Sequence, residues 1–260
     1  MNRTSLGLCI MSMCTAKALS SLGSSIPPLA PGMRRIFIVR HGQTDWNVQR
    51  RIQGGGADLE LNKMGEAQAA AAAAELANVG PFSVVASSHL VRAKRTADHI
   101  AMKHPDARRI VDERFGEMRF GKFEGAELGA DAEAAKEFRA IKKSWIEQGR
   151  VDLEWPCTPG SSTEVGESPQ ACADRGRAGI EALLKVGAED DAVDETLPMA
   201  VVAHGAFNKL LISSLLWNDV RRSSELEQSN VAINVLDFDP ANGSFEARIL
   251  NYHEHAKDLQ

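Results

Sequence analysis

The chain has 260 residues, which is enough for one sizeable hydrophobic core. Its 30 lysines and arginines stand against 35 aspartates and glutamates, and the net charge of −5 argues against broad nucleic-acid binding, which needs a basic surface. No apolar run approaches the length of a membrane span, so we expect no transmembrane helix. An acidic chain can still hold a local cationic pocket for an anion.

The first 33 residues differ in composition from the rest of the chain. No acidic residue occurs before Asp45, serine and threonine are frequent, and Ile26-Pro-Pro-Leu-Ala-Pro-Gly closes the segment. We interpret residues 1–33 as a targeting or disordered extension, and favour a transit peptide for a plastid or mitochondrion, with a cytoplasmic location as the alternative. A secretory signal and an upstream start before Met33 are the other interpretations.

A continuous apolar run, Ile36 to Val39, predicts a strand buried on both faces of a parallel sheet. It ends abruptly in Arg40, His41 and Gly42. A cation and an imidazole at the carboxyl end of a buried strand lie where open α/β sheets bind ligands. Gly42 allows a sharp turn and a close approach of the backbone to a ligand.

The alternation of helix and strand signals continues along the chain. A helix is predicted from Lys63 to Asn78, capped by Asn62, and a second strand from Ser83 to Ser87. The next helix, which extends to about His104, carries Arg92 in its first turn. The spacing leaves two interpretations of Arg92 open: part of an anion site at a helix N-terminus, or one member of a solvated basic face.

The central third of the chain predicts one strand, one loop and two helices. The strand is expected at 108–113, and the loop after it carries Glu117. Residues 126–149 predict an amphipathic helix within a cap-like insertion at about 126–167. The second helix is expected to start after Ser168 and to end at Gly187.

A second apolar run repeats the pattern of the first. Met199 to Ala203 predicts a buried strand, and it too ends in a histidine and a glycine, His204 and Gly205. One loop histidine alone carries little weight, but the repeat, with Arg40 beside the first histidine, favours a shared site. A helix is predicted after it at 206–217, followed by strands at 230–237 and 245–251. This order of elements predicts a three-layer α/β/α sandwich with a mostly parallel central sheet.

The segment Arg40-His41-Gly42-x-Thr44-x-x-Asn47 resembles the signature of the histidine phosphatase superfamily, the phosphoglycerate mutase-like enzymes. The resemblance spans about Arg34 to His255. It implies that Arg92 is a second phosphate-binding arginine, because Ser-x-Leu-x-Arg-Ala-x-x-Thr-Ala matches that element of the family. It also implies that Glu117, within Glu-x-x-Phe-Gly-x-x-Glu-Gly, is the proton donor, although a loop glutamate is more often merely solvated.

The resemblance further implies a chemistry. His41 attacks the phosphoryl group, and the substrate-binding set holds its oxygens: Arg40, Asn47, Gln53, Arg92, His204 and Gly205. Glu117 protonates the leaving oxygen. No metal and no cofactor is expected, and the expected partner is a small phosphorylated metabolite, such as a sugar phosphate or a phosphoglycerate-like compound.

The stretch from Glu113 to Glu117 lacks the His-Tyr pair of the cofactor-dependent mutases, which favours a phosphatase over a mutase. The loop at Gln53 also resembles the phosphatase branch. A mutase-type phosphotransferase is the alternative, and a non-catalytic phosphate-binding module ranks below both. The oligomeric state, including a homodimer, stays open.

Overall fold

A computed structural model describes residues 21–129, 133–161, 165–189 and 193–259. Its centre is a six-stranded sheet of order β3-β2-β4-β1-β5-β6. The strands are β1 (Arg34–Arg40), β2 (Val84–Ser87), β3 (Arg108–Val111), β4 (Met199–Ala203), β5 (Ile233–Asp239) and β6 (Ser244–Tyr252). The first four are parallel, whereas β5 is antiparallel to β1 and β6 to β5. The predicted mostly parallel sheet is confirmed.

Helices cover both faces of this sheet. They are α1 (Leu22–Ser25), α2 (Asp45–Val48), α3 (Lys63–Ala77), α4 (Val91–Ala101), α5 (Glu133–Gln148), α6 (Pro169–Glu189) and α7 (Gly205–Trp217). Alternate residues of β1 enter two cores: Ile36 and Ile38 pack with α6 and α7, while Phe37 and Val39 pack with α3 and α4. The uninterrupted apolar run therefore reflects burial on both faces, as a three-layer sandwich requires.

Several helix ends differ from the predicted ones. The helix expected over 126–149 begins only at Glu133; residues 126–129 are irregular, and Glu127 forms an isolated bridge with Arg51. The helix after Ser168 continues past Gly187 to Glu189, so the predicted stop at the glycine is wrong. The Ser168 cap is confirmed, since its hydroxyl accepts the Ala171 N–H at 3.2 Å. Asn62 likewise caps α3 by accepting from Gly65 N at 2.9 Å.

The folded core includes residues that precede β1. Leu22 is fully buried against the α3 and α4 layer, and its N–H donates to Glu75 of α3. The predicted extension at 1–33 therefore contains at least one core residue, and residues 1–20 lie outside the described part. At the other end, His255 is partly buried against the Tyr252 ring. Burial lowers the pKa of His255 to about 4.

The parallel register brings two strand ends together. Arg40 pairs with Ala203, so β1 and β4 end side by side, and His41 N donates to Ala203 O at 3.0 Å. Both His-Gly segments therefore lie at the carboxyl edge of the sheet, where open α/β sheets bind ligands. Within the described residues, no helix is both long and apolar enough to cross a membrane.

Candidate active site

His41 is held in one tautomer at the end of β1. Its Nδ1 lies 2.6 Å from the carbonyl oxygen of Gly42, which can only accept, so Nδ1 carries the proton. Burial, and then the charges of Arg92 and Arg40, keep the pKa of His41 well below its ordinary value. The imidazole is therefore neutral near pH 7, with an unprotonated Nε2. A neutral imidazole in this state is a competent nucleophile.

Two glycines in contact fix the loop that carries His41. A Cβ added at Gly42 would collide with the carbonyl oxygen of Gly65, and one at Gly65 would collide with that of Gln43. The first turn of α3 thus packs directly on the backbone that follows β1. Gly42 N also donates to Thr96 Oγ1 on α4 at 3.1 Å. Two helices therefore position the nucleophile's backbone.

His204 lies beside His41 as the residue preceding α7. The two ring centroids are 5.2 Å apart with a tilt of 59°. His204 is fully buried, and within the described residues neither of its ring nitrogens has a hydrogen-bond partner. Burial, Arg92 and His41 lower the pKa of His204 well below its ordinary value. Buried polar atoms are rarely left without a partner, so these nitrogens are candidates for contact with a ligand.

Arg40 and Arg92 flank the two histidines but are not equivalent. Arg40 donates through Nη1 to the Gln228 carbonyl at 2.6 Å, while its buried Nε has no partner in the described ranges. Arg92 is fully buried and donates to the carbonyls of Ala57 at 2.6 Å and Gly54 at 3.2 Å. Burial lowers the pKa of Arg92 to about 10, so it remains a cation near neutrality.

Asn47 and Gln53 connect the loop after β1 to Arg92. Asn47 closes a capping box with Thr44 at the start of α2. The Gln53 amide, oriented to satisfy its neighbours, donates to Thr44 Oγ1 at 2.7 Å and accepts from Arg92 Nε at 3.2 Å. Both side chains also line the cavity that contains His41.

Glu117 lies against the N-terminus of α7. Its Oε1 accepts the N–H groups of Met118 and Phe207, each at 2.8 Å, and its Oε2 accepts that of Ala206 at 3.1 Å. Burial raises the pKa of Glu117 above its usual value, although these N–H groups and Arg92 act in the opposite direction. A carboxyl group with a raised pKa can hold a proton for transfer.

Arg175 of α6 braces the segment that carries Glu117. Its guanidinium donates to the carbonyls of Arg114 at 2.7 Å, Gly116 at 2.8 Å and Glu117 at 3.2 Å. It also forms an ion pair with Glu167 at 2.6 Å. A planar fork with five donors suits this task, which a single ammonium group would not fulfil.

One cavity of about 280 Å³ brings most of the predicted residues together. Its wall includes Arg40, His41, Asn47, Gln53, Glu117 and Gly205. Arg92 and His204 do not line it; both are fully buried next to those residues. Within the described ranges, no group of three or more His, Cys, Asp or Glu is placed to hold a metal ion.

Sequence reasoning missed several residues that support the site. Asn230 donates to His41 O at 3.3 Å and to Asn47 Oδ1 at 3.2 Å. Gly65, Gln228 and Arg175 were also missed. They lie far along the chain from the residues they support, and no local pattern marks them.

The fold and this cavity define an enzyme that acts on phosphate esters. A neutral imidazole, the Arg40 guanidinium and a carboxyl group line one cavity, and the Arg92 guanidinium is buried beside them. The chain belongs to the histidine phosphatase superfamily (branch 1), whose profile matches residues 36–250.

The relatives that match the chain include proteins named as mutases and proteins named as phosphatases. The "Probable phosphoglycerate mutase GpmB" of Shigella boydii is 30% identical over 206 residues, which is 79% of this chain and 86% of the relative. The glucosyl-3-phosphoglycerate phosphatase of Mycobacterium tuberculosis is 35% identical over 187 residues, 70% of this chain and 75% of the relative.

Solved structures match over most of both chains. A mycobacterial glucosyl-3-phosphoglycerate phosphatase complexed with VO3 has a TM-score of 0.65 and 30% identity, covering 84% of this chain and 98% of that one. A phosphoserine phosphatase mutant from Entamoeba histolytica, in complex with phosphoserine, has a TM-score of 0.65 and 25% identity, covering 85% and 98%.

Proposed function

We propose that this enzyme hydrolyses phosphomonoesters of small metabolites through a phosphohistidine formed on His41. The observation that carries the proposal is the hydrogen bond from His41 Nδ1 to Gly42 O at 2.6 Å. It assigns the proton to Nδ1 and leaves the Nε2 lone pair for phosphorus. The relatives named as phosphatases, which act on glucosyl-3-phosphoglycerate and phosphoserine, support this choice of reaction.

In the first step His41 Nε2 forms a bond to phosphorus while the ester oxygen leaves on the opposite side. The charge of the transferring group is offset by Arg40 and Arg92, and His204 contributes a ring nitrogen. Arg40 Nε and the His204 ring nitrogens are buried without protein partners in the described chain. Phosphoryl oxygens could accept from Arg40 Nε–H and from the one His204 nitrogen that carries a proton. Glu117 delivers its proton to the departing oxygen.

In the second step water attacks the phosphohistidine. Glu117, now a carboxylate, takes the proton from that water, and phosphate leaves with neutral His41 restored. The raised pKa of Glu117 suits both halves of the cycle, because the group must be protonated in one and ionised in the other.

Hydrolysis is favoured over re-transfer because the stretch from Glu113 to Glu117 lacks the His-Tyr pair of the cofactor-dependent mutases. The alternative is a mutase, which the relative named phosphoglycerate mutase keeps open. In that case a second hydroxyl group would take the phosphoryl group in place of water.

The first experiment assays the full chain in EDTA. Phosphate release is measured from 3-phosphoglycerate, phosphoserine and glucosyl-3-phosphoglycerate, beside interconversion of 2- and 3-phosphoglycerate with and without 2,3-bisphosphoglycerate. We expect phosphate release that His41→Ala abolishes, and acid-labile labelling of the wild-type protein by a ³²P-ester. Bisphosphoglycerate-dependent interconversion would establish the mutase instead, and undiminished hydrolysis by His41→Ala would refute the mechanism.

We also propose that residues 1–33 direct the protein to a plastid or mitochondrion, on the basis of their acid-poor, serine-rich composition. Fusing these residues to a fluorescent protein tests this proposal. A cytoplasmic or secreted fusion would refute it.

A further inference from the structure

The cavity that contains His41 continues into an aromatic enclosure. Its wall there includes Met118, Phe120, Phe138, Trp145 and Trp155. Phe138 stacks on Trp155 with ring centroids 4.4 Å apart, and Trp145 meets the same indole edge-on at 4.5 Å. These interlocked rings form a rigid apolar wall next to the reaction centre. The organic part of a substrate would therefore lie against aromatic rings over much of its surface.

The same wall carries more positive charge than the phosphoryl group requires. Among the described residues, five cations line the cavity, Arg40, Arg51, Lys142, Lys209 and Arg221, and one carboxyl group does so, that of Glu117. The excess is local, because the chain as a whole has a net charge of −5.

Within the described residues, three of these cations form no ion pair: Arg40, Lys142 and Lys209. Arg51 pairs with Glu127 at 3.1 Å, and Arg221 with Asp219 at 2.6 Å. In the described residues Lys142 and Lys209 form no ion pair, and they lie close enough for Lys142 to affect the titration of Lys209. Burial, Lys142 and Arg40 lower the pKa of Lys209 below its usual value, whereas Glu227 acts in the opposite direction. An anion placed between these ammonium groups would relieve their repulsion.

The positions of both lysines are set by helices. Lys142 lies four residues after Phe138 and three before Trp145 on α5. These spacings place all three side chains on one face of the helix. Lys209 lies one helical turn after Gly205 on α7, roughly 6 Å along the axis from the phosphate-binding end. Its backbone is therefore displaced along α7 from the proposed phosphate-binding end, while its side chain lines the same cavity.

We propose that Lys142 and Lys209 form a second anion subsite, which selects phosphomonoesters whose apolar leaving group carries a carboxylate or similar anion. This inference rests on the proposed phosphatase function, since the phosphoryl group must occupy the His41 end of the cavity. The aromatic wall holds the apolar part, and the lysines bind the distal charge.

Matched aryl esters test the subsite. 4-Carboxyphenyl phosphate and the neutral 4-carbamoylphenyl phosphate have nearly the same shape, and phenyl phosphate lacks the substituent. For each protein the ratio of kcat/KM for the carboxylate ester to that for the carbamoyl ester is measured, so the intrinsic reactivity of each ester cancels between proteins. We expect wild type to prefer the carboxylate, and Lys142→Met and Lys209→Met each to lower the ratio by about 10-fold. The preference should also weaken with added salt.

Lys143→Met is the matched control. This residue is adjacent on α5, outside the cavity, and pairs with Glu147 at 3.7 Å. The Lys143→Met substitution removes the same charge and should leave the ratio of kcat/KM for the two esters unchanged. Phenyl phosphate turnover of Lys143→Met should stay within about threefold of wild type, and circular dichroism of all three variants reports that they fold.

Each outcome decides one proposal. A ratio unchanged by the Lys142 and Lys209 substitutions, or lowered equally by Lys143→Met, overturns the subsite while His41-dependent turnover of phenyl phosphate still supports the phosphatase. Turnover of phenyl phosphate that survives His41→Ala overturns the proposed function instead. The Kd values of the same esters on His41→Ala protein give the ratio without catalysis, so slow turnover does not prevent the test.

Discussion

Replacing Glu117 with glutamine separates proton donation from binding. Glutamine keeps the shape of the side chain, and its oxygen can still accept the N–H groups of Met118 and Phe207. Its amide nitrogen would instead face the Ala206 N–H, which now points at Glu117 Oε2 from 3.1 Å. One buried donor then loses its acceptor, which costs about 1–3 kcal/mol of stability. Removing a buried ionisable group offsets part of this cost.

The catalytic effect should depend on the leaving group. General acid catalysis contributes about 10²–10⁴-fold to a rate, so hydrolysis of an alkyl phosphate should fall by that factor, or roughly 3–5 kcal/mol in barrier height. A 4-nitrophenolate leaves as a stable anion, so 4-nitrophenyl phosphate should lose less than about 10-fold. The assay compares kcat/KM for glycerol phosphate and 4-nitrophenyl phosphate in wild type and Glu117→Gln.

Glu124→Gln supplies the control. Glu124 is another half-buried acid with a pKa raised by burial, and it accepts the N–H groups of Gly56 and Phe120, both at 3.0 Å, but it does not line the cavity. Its replacement should affect both esters equally. The general-acid role of Glu117 is refuted if Glu117→Gln also lowers both esters by the same factor.

Three further predictions concern the support of the site. Because the pKa values of buried His41 and His204 lie below those of the unfolded chain, the unfolded state binds protons first as the pH falls. The stability that the two neutral histidines contribute should therefore be fully present above about pH 6.5 and should decrease below it by up to about 1.4 kcal/mol per pH unit for each histidine. In urea unfolding, the variant that combines His41→Gln and His204→Gln should show a shallower dependence of the unfolding free energy on pH. The methyl group of Gly65→Ala would collide with the Gln43 carbonyl oxygen. The variant should therefore lose about 1–3 kcal/mol of unfolding free energy, measured by urea unfolding, and should have a lower kcat. Arg175→Lys keeps the charge near Glu167 but loses the forked donors, so hydrolysis of glycerol phosphate should fall by about 10-fold, more than that of 4-nitrophenyl phosphate.

Each of these expectations can fail clearly. An unchanged pH slope in the double variant would show that the two histidines are already titrated alike in the folded and unfolded states. Gly129→Ala is the control for Gly65→Ala, since a Cβ there meets nothing within 4 Å, and equal losses in both would remove the steric explanation. Equal losses on both esters in Arg175→Lys would mean that Arg175 supports stability alone.

The nucleophile could be predicted from the sequence because its signal is local. Ile36 to Val39 and Met199 to Ala203 are buried on both faces, which requires continuous apolar runs, and each run ends in His-Gly at the edge where ligands bind. Parallel pairing of β1 with β4 then brings the two histidines together.

The ends of the helices and the surroundings of each active-site side chain could not be predicted from local patterns. Glu127, in a stretch predicted as helix, instead bridges to Arg51, a contact between residues 76 apart in the chain. A glycine near the end of α6 did not terminate the helix, because a local preference of about 1 kcal/mol is readily overridden by tertiary contacts.

The sequence by itself determined which chemistry is present: two histidines at strand ends, two arginines and one acid in a family pattern, on a sheet buried on both faces. Only the tertiary structure decided how these groups are poised. It placed Glu117 against the N-terminus of α7, braced by Arg175, and it placed Lys142 on the wall of the cavity. The physical reason is that burial, hydrogen-bond partners and neighbouring charges come from residues distant in the chain, whereas secondary structure and motif spacing are local.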